Sequence, residues 1–245
     1  MHGLDNPFYK TNPVKYWEEQ NEDSQHNPWR YTEPDQLTPL LFEDLEGRLS
    51  AETSFMEIGC GAGRNLQYLW DQGFKNLAGI EINPMAVDTV MQQVFPQLYQ
   101  NGTFFVGNAA SMIREIPDTS YDVVFSKGVL MHIPPGQASL FKDMVRICRR
   151  YIVVHTSEMG APYYYDFEKL FERLGCKLIV HRSFYDHPEG AQLPHELYDD
   201  EQYRFKETFL NVFIKKNRSQ REVNVKGYFF SAAYTWILKG SNRER

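Results

Sequence analysis

The residues whose types and spacing bear most directly on chemistry lie in the run Phe55-Met56-Glu57-Ile58-Gly59-Cys60-Gly61-Ala62-Gly63-Arg64-Asn65. A hydrophobic strand feeds three glycines at alternate positions, and a helix follows. Glycine permits positive φ and close approach of a ligand to the backbone. The start of the helix offers N–H donors and a partial positive charge. A dinucleotide fingerprint needs Gly-x-Gly-x-x-Gly. Counted from Gly59 the third position is Arg64, and counted from Gly61 it is Leu66. Glu57 stands just ahead of the loop, where a carboxylate repels a pyrophosphate and can pair with a ligand ammonium. A second acid, Glu81, follows Gly59 by 22 residues, close to the ~20 expected of an acid that binds ribose hydroxyls. A ligand with an amine, a ribose and no phosphate suits both acids, and S-adenosylmethionine is such a ligand.

With these residues the chain resembles the class I S-adenosylmethionine-dependent methyltransferases. The likeness rests on Glu57 to Gly63, on Glu81, on Val106-Gly107-Asn108-Ala109 and on Tyr121-Asp122-Val123-Val124-Phe125-Ser126, in that order, and covers roughly residues 40–183. It implies that Glu57 fixes the loop or the methionine ammonium, and that Gly59, Cys60, Gly61, Gly63 and Asn65 border the methionine part. Glu81 would bind both ribose hydroxyls while Ile82 packs on the adenine. Asn108, where the family more often has Asp, and Ala109 would meet the adenine edge. Ser126 would offer backbone to the methionine moiety. Ser126 to Pro135, Arg149 to Val154 and Thr235 to Lys239 are further similar to methyltransferases associated with pseudaminic acid biosynthesis, although His155-Thr156-Ser157-Glu158-Met159 stands where those carry Tyr-Tyr-Asn-Pro.

Methyl transfer from a sulfonium is an in-line displacement, so the protein mainly aligns the partners and excludes water. An oxygen or nitrogen nucleophile must often lose a proton, which a positioned His or carboxylate can take. His132, just after the fourth strand, is read as a base or substrate contact, or as a structural histidine. His155 and Glu158, at the end of the fifth strand, are candidates on the same rim. Lys127 reads as structural or solvated.

The elements that must position these groups alternate. Strand-like runs are Ser54–Ile58, Leu77–Ile82, Thr103–Val106, Tyr121–Phe125, Tyr151–His155 and Lys177–His181. Helical stretches lie between them at Arg64–Gln72, from Asn83-Pro84 to about Phe95, and at Gln137–Arg149 and Tyr165–Leu174. Alternation with short connections predicts a doubly wound, Rossmann-like α/β sheet in a three-layer sandwich. Seven strands are expected, the last antiparallel, and Tyr228–Leu238 reads as an edge strand returning that way. Leucines at 37, 40, 41, 45 and 49 predict a helix over Asp35 to Leu49. Residues 1–50 form a cap and lead-in helix. Residues 51–245 are expected to form the domain that resembles the class I enzymes, with an insertion near 185–227. The cap is aromatic and polar (Tyr16, Trp17, Trp29, Arg30, Tyr31) and reads as a lid or a packed arm; Tyr163-Tyr164-Tyr165 reads as pocket lining or packing.

Composition narrows the partners. The net charge is −6, and residues 1–50 hold ten acids against four bases, which is the whole excess. An acidic front end disfavours a phosphate-binding surface. No apolar run reaches the ~18 residues of a membrane span, and the opening residues lack the pattern of a signal peptide. Three cysteines without metal spacing fit a reduced, cytoplasmic setting, and no functional metal is expected. The reading is a methyltransferase acting on oxygen or nitrogen of a small molecule, in a sugar pathway or other biosynthesis, with S-adenosylhomocysteine as by-product. Alternatives are a protein or nucleic-acid methyltransferase, a non-catalytic S-adenosylmethionine-binding subunit and, more distantly, a nicotinamide oxidoreductase. A monomer and a homodimer both fit.

Overall fold

The strands are β1 (Ser54–Ile58), β2 (Asn76–Glu81), β3 (Thr103–Val106), β4 (Tyr121–Lys127), β5 (Cys148–Ser157), β6 (Cys176–Ser183) and β7 (Thr208–Lys215). In the computed structural model, residues 12–33, 37–157, 162–183 and 208–216 are described. The chain divides into units 1–215 and 216–245, and of the second only Lys216 is described.

The strands form one sheet in the order β3-β2-β1-β4-β5-β7-β6. The first five pair in parallel. β7 runs antiparallel to both β5 and β6. Strand order reverses between β1 and β4, and the crevice beyond their carboxyl ends is where such sheets bind ligands.

Among the described residues the helices are α1 (Pro13–Glu18), α2 (Arg64–Asp71), α3 (Pro96–Asn101), α4 (Ala109–Met112), α5 (Ser139–Ile147) and α6 (Phe167–Arg173), with a π-helical turn over Ala86–Met91 that runs on into a short α-helical turn over Gln92–Val94. They cover both sheet faces. On one face Met56, Ile58, Val124, Ile152 and Val154 pack with Leu140, Phe141 and Met144 of α5. On the other, Phe55, Phe125, Val153 and Val212 pack with Leu66 and Leu69 of α2 and with Leu40, Leu41 and Leu45. The central strands read as apolar runs because helices bury both of their sides.

Two expectations are corrected. The stretch read as one helix from Asp35 to Leu49 is instead a pair of 3-10 turns, Pro39–Leu41 and Glu43–Leu45; residues 34–36 lie outside the described residues. Phe42 N bonds Pro39 O, and Leu45 N bonds Phe42 O. These tighter i to i+3 bonds still bury Leu37, Leu40, Leu41 and Leu45, so the spacing marked the buried side but not the helix type. The antiparallel strand lies inside the sheet, at Thr208–Lys215, within the stretch read as an insertion. The edge strand expected at Tyr228–Leu238 lies outside the described residues.

Candidate functional site

The glycine loop bridges β1 and α2 at the reversal point of the sheet. Its backbone donors face inward. Gly59 N and Cys60 N bond Ile80 O at 2.8 and 3.1 Å, and Gly63 N bonds Cys60 O at 2.9 Å. Gly61 N donates to Glu81 Oε2 at 2.8 Å. Four donors that a phosphate would need are therefore taken by the protein itself, which revises the expectation of free N–H groups here. The loop suits a ligand without a pyrophosphate.

Two of the glycines have different reasons. A Cβ on Gly59 (φ +75°) would lie 2.5 Å from Val129 Cγ2, so this position lets the β1 and β4 loops touch. A Cβ on Gly61 (φ +53°) would meet nothing within 4 Å. Gly61 thus faces open space, as a cradle for a bound group requires.

Beneath the loop lies a buried polar chain. Thr38 Oγ1 donates to Asn65 Oδ1 at 2.6 Å, and Asn65 Nδ2 donates to Glu57 Oε1 at 2.6 Å. Glu57 is fully buried, and its Oε2 has no hydrogen-bond partner among the described residues. Burial pushes its carboxyl up to about 8, against the opposing pull of the Asn65 bond and the nearby Arg64. A buried polar atom without a partner is costly, and a ligand ammonium would satisfy it. Asn65 thus positions Glu57 through its Nδ2 while its Oδ1 accepts from Thr38.

Glu81, at the end of β2, also accepts from Asn83 N at 2.9 Å. Burial raises its carboxyl, while these backbone donors favour the charged form. A carboxylate has about four acceptor positions, so room is left for hydroxyls. Asn108 caps α4, its Oδ1 accepting from Ala110 N at 3.0 Å, and its Nδ2 reaches Gln137 Oε1 at 3.3 Å. An amide serves that cap as well as an acid does, which accounts physically for Asn here. Ala109 opens α4, and Ile82 follows Glu81 at half-burial. Ser126 is buried with Oγ donating to Ile58 O at 2.9 Å, leaving only its backbone for a ligand. Cys60 is buried, and burial raises its thiol well above the usual range.

The basic groups separate clearly. His155 is not on a rim: β5 continues to Ser157, and His155 is buried inside the sheet opposite Lys127. Burial, and then the neighbouring Lys127, lower it to about 3. Glu158 lies outside the described residues. His132 follows β4 in a 3-10 turn and is lowered to about 4, by burial and then by His26. Lys127 is lowered to about 7 by burial. Its alternation with Val123 and Phe125, both buried, puts it on their face of the sheet, where it is itself partly exposed.

The N-terminal segment lies on this site. Trp17 meets His132 edge-on at 5.0 Å and His26 at 4.7 Å. Asn83 Nδ2 donates to Gln20 O at 2.8 Å, and the Arg64 guanidinium lies 5.5 Å from the Tyr31 ring centre. The segment thus contacts the loop after β4, the turn after β2 and the start of α2.

A separate cavity of about 240 Å³ opens on the other sheet face, lined by Met131, Thr156, Tyr163, His181, Phe209 and Asn211 among others. Tyr163 N bonds Met131 O at 3.3 Å, and Tyr165 OH donates to Ile133 O at 2.8 Å, so the cavity wall is tied to the His132 loop. His181 Nδ1 pairs with Asn211 Oδ1 at 2.7 Å and stacks on Phe209. Sequence reading found the tyrosines but not Met131, His181 or Asn211, which only the β5-β7-β6 pairing brings together. Among the described residues, no group of three or more His, Cys, Asp or Glu could hold a metal, and no helix is long and apolar enough to cross a membrane.

The architecture and the site define the class I methyltransferase fold. Residues 56–151 match a family described as a methyltransferase domain. The chain is 33% identical over 98 residues to 2-methyl-6-phytyl-1,4-hydroquinone methyltransferase of Synechocystis sp., covering 40% of this chain and 29% of that protein. It thus spans less than a third of that relative's length. Among solved structures it is similar to magnesium protoporphyrin IX methyltransferase from Synechocystis PCC 6803 with bound S-adenosylmethionine (TM-score 0.55, 15% identity, 85% of this chain, 94% of the other). It is also similar to phosphoethanolamine N-methyltransferase 2 of Haemonchus contortus (TM-score 0.59, 14% identity, 87% and 59%). The [4+2]-cyclase SpnF shares the fold as well (TM-score 0.56, 14% identity, 84% and 90%). The narrower likeness to the pseudaminic acid enzymes is not shown by these comparisons.

Proposed function

We propose that this chain binds S-adenosylmethionine and transfers its methyl group to an oxygen or nitrogen of a small-molecule acceptor. The carrying observation is the buried Glu57 carboxyl with its unsatisfied Oε2, close enough to Glu81 to feel its charge, at the strand end that feeds the glycine loop. An ammonium, a ribose and no pyrophosphate match that set. The family match over residues 56–151 and the small-molecule methyltransferases among the relatives support the reading. Three buried free thiols suit a reduced, cytoplasmic setting.

When bound, the cofactor supplies a methyl group on a good leaving group. The chain's own residues do the rest. Glu57 Oε2 takes the ammonium, and Glu81 takes the ribose hydroxyls while holding Gly61 N. Gln137 and Asn108 border the adenine side. Trp17 and Tyr31 of the N-terminal segment exclude water from above. The acceptor enters from the cavity behind Met131 and Tyr163. His132, neutral throughout the physiological range, contacts the acceptor and is too weak a base to carry a pH dependence near neutrality.

The test is transfer of labelled methyl from S-adenosylmethionine into a fractionated cell extract, with Glu81→Ala as control. Label in small molecules, absent from the control, supports the reading. Label confined to protein or nucleic acid replaces the acceptor class. Cofactor binding without any transfer points to a non-catalytic subunit.

A further inference from the structure

On the sheet face that packs against α5 and α6, two buried polar side chains open into the cavity. Asn211 of β7 and Thr156 of β5 are each 5% exposed, and both line it. Across the β5–β7 ladder Val154 pairs with Asn211 and Thr156 with Phe209, so Asn211 and Thr156 are diagonal neighbours on one face. Side chains so placed stand within about 8 Å and can reach one group between them. His181 sets the Asn211 amide: its Nδ1 donates to Oδ1 at 2.7 Å while its ring stacks on Phe209. Asn211 Nδ2 and Thr156 Oγ1 carry no hydrogen bond to any described residue. A buried donor without a partner forfeits its hydration, and a ligand that accepts from it restores the loss.

The other polar groups of the wall are spent or repel. Tyr165 OH bonds Ile133 O, and Asp166 holds Lys169 N and Nζ at 3.0 and 2.7 Å. Glu168 lines the cavity with a carboxylate that disfavours an anion. An amide N–H only donates, and a threonine hydroxyl can donate. An ammonium offers donors alone and leaves the Asn211 N–H unanswered. An uncharged oxygen accepts from both, and Met131, Tyr163 and Phe209 give its carbon skeleton apolar cover. Ser126, Val154 and Asn211 stand in one rung across β4, β5 and β7, so Asn211 is two strand spacings, about 10 Å, from the strand that borders the cofactor. The atom held there is therefore remote from the methyl. Resting on the reading of this cavity as the acceptor's entrance, we propose that Asn211 Nδ2 and Thr156 Oγ1 together hold an uncharged carbonyl or hydroxyl oxygen of the acceptor, at a distance from the atom that is methylated.

The test uses benzamide, benzoate and benzylamine, which set an uncharged oxygen, an anion and a cation on one ring. Each is titrated by NMR into the native chain, Thr156→Val and Asn211→Asp. Thr156→Val keeps the shape and drops the hydroxyl. Asn211→Asp keeps the oxygen that faces His181 and puts an oxygen in place of the N–H donor. The native chain should bind benzamide more tightly than either charged probe, by about threefold or more. Thr156→Val should weaken benzamide about three- to tenfold, the range of one neutral hydrogen bond. Asn211→Asp should weaken it at least as much and favour benzylamine instead. Equal or tighter binding of a charged probe by the native chain overturns the proposal, as does benzamide affinity unchanged in both variants, or no binding of any probe. If Asn211→Asp does not fold, the native ranking and Thr156→Val decide by the same criteria. Benzamide should also slow transfer of labelled methyl into the small-molecule fraction without changing the affinity for S-adenosylmethionine. Binding that leaves transfer untouched sets the cavity apart from the acceptor and overturns the proposal. If S-adenosylmethionine itself does not bind, the cofactor reading fails and this role falls with it, a failure that the probe ranking keeps distinct from a wrong assignment of Asn211 and Thr156.

Discussion

The two halves of the sheet solve different problems. Around β1, β2 and β4 the polar groups are few, buried and bonded to one another: Thr38 to Asn65 to Glu57, Gly61 to Glu81, Ser126 to Ile58. Around β5, β6 and β7 the cavity is built from tyrosines, a histidine–asparagine pair and a phenylalanine, with half-exposed hydroxyls and rings. A site for one fixed ligand favours pre-set donors and acceptors. A site that varies from one acceptor to the next favours amphipathic side chains with adaptable contacts. Each half should therefore fail separately when perturbed.

The largest effect is expected at the contact between the two central loops. Gly59→Val places a branched side chain at φ +75° against Val129 and should cost about 3 kcal/mol or more. A thermal melt that drops sharply, with cofactor binding lost, checks it. An unchanged melt would mean the loops are not packed as described.

Glu57→Gln separates stability from binding. The folded carboxyl titrates at about 8, far above its ordinary value of 4.5. The folded state therefore keeps a proton that the unfolded chain releases between those values. This contribution is fully present below pH 4.5 and is lost as pH rises toward 8. The variant should lose that slope and melt higher at pH 7, by about 1 kcal/mol of stability after allowance for relaxation. Its affinity for S-adenosylmethionine should fall about 10- to 100-fold. Calorimetry of the ligand-free chain from pH 5 to 9 checks the first part, and a titration checks the second. A variant that binds normally would break the assignment of this half to the cofactor.

Trp17→Ala removes the contact that seats the N-terminal segment on His132. Cofactor affinity should drop by about tenfold, a loss in keeping with one aromatic contact, while the melt stays nearly unchanged. Deleting residues 1–34 should weaken binding at least as much. Unaltered binding in both would make the segment a packed arm and not a lid. The smallest effect is expected from Tyr165→Phe, which deletes the bond to Ile133 O. It should raise the acceptor KM by about three- to fivefold, in line with a lost neutral hydrogen bond, and leave cofactor affinity alone. A change in cofactor affinity there would join the two halves into one site.

The same division governs what could be read from the sequence. Ser54–Ile58 and Thr103–Val106 form strands over the ranges their sequence delimits, because each is an apolar run bounded by polar or glycine residues. The cofactor half was legible because its parts are local: a strand, its loop and the acid ending the next strand. The cavity half was not, because Met131, Tyr163, His181 and Asn211 meet only once β7 slots between β5 and β6, and no local pattern encodes strand order. His155 was misplaced for a smaller reason. Strand β5 runs two residues beyond it, and a histidine that reads as a strand end is in fact interior.

The place of β7 also orders events during synthesis. Among the described residues β6 pairs with β7 alone, and β7 comes after both of the strands it separates. While the ribosome has delivered only the segments through β5, the parallel core from β3 to β5 can already close around its helices. β6 and β7 then add together, and the cavity lined by His181, Phe209 and Asn211 exists only once β7 has emerged. A nascent chain stalled before Thr208 would therefore display the glycine loop with β5 as an open edge, a surface for chaperones to hold.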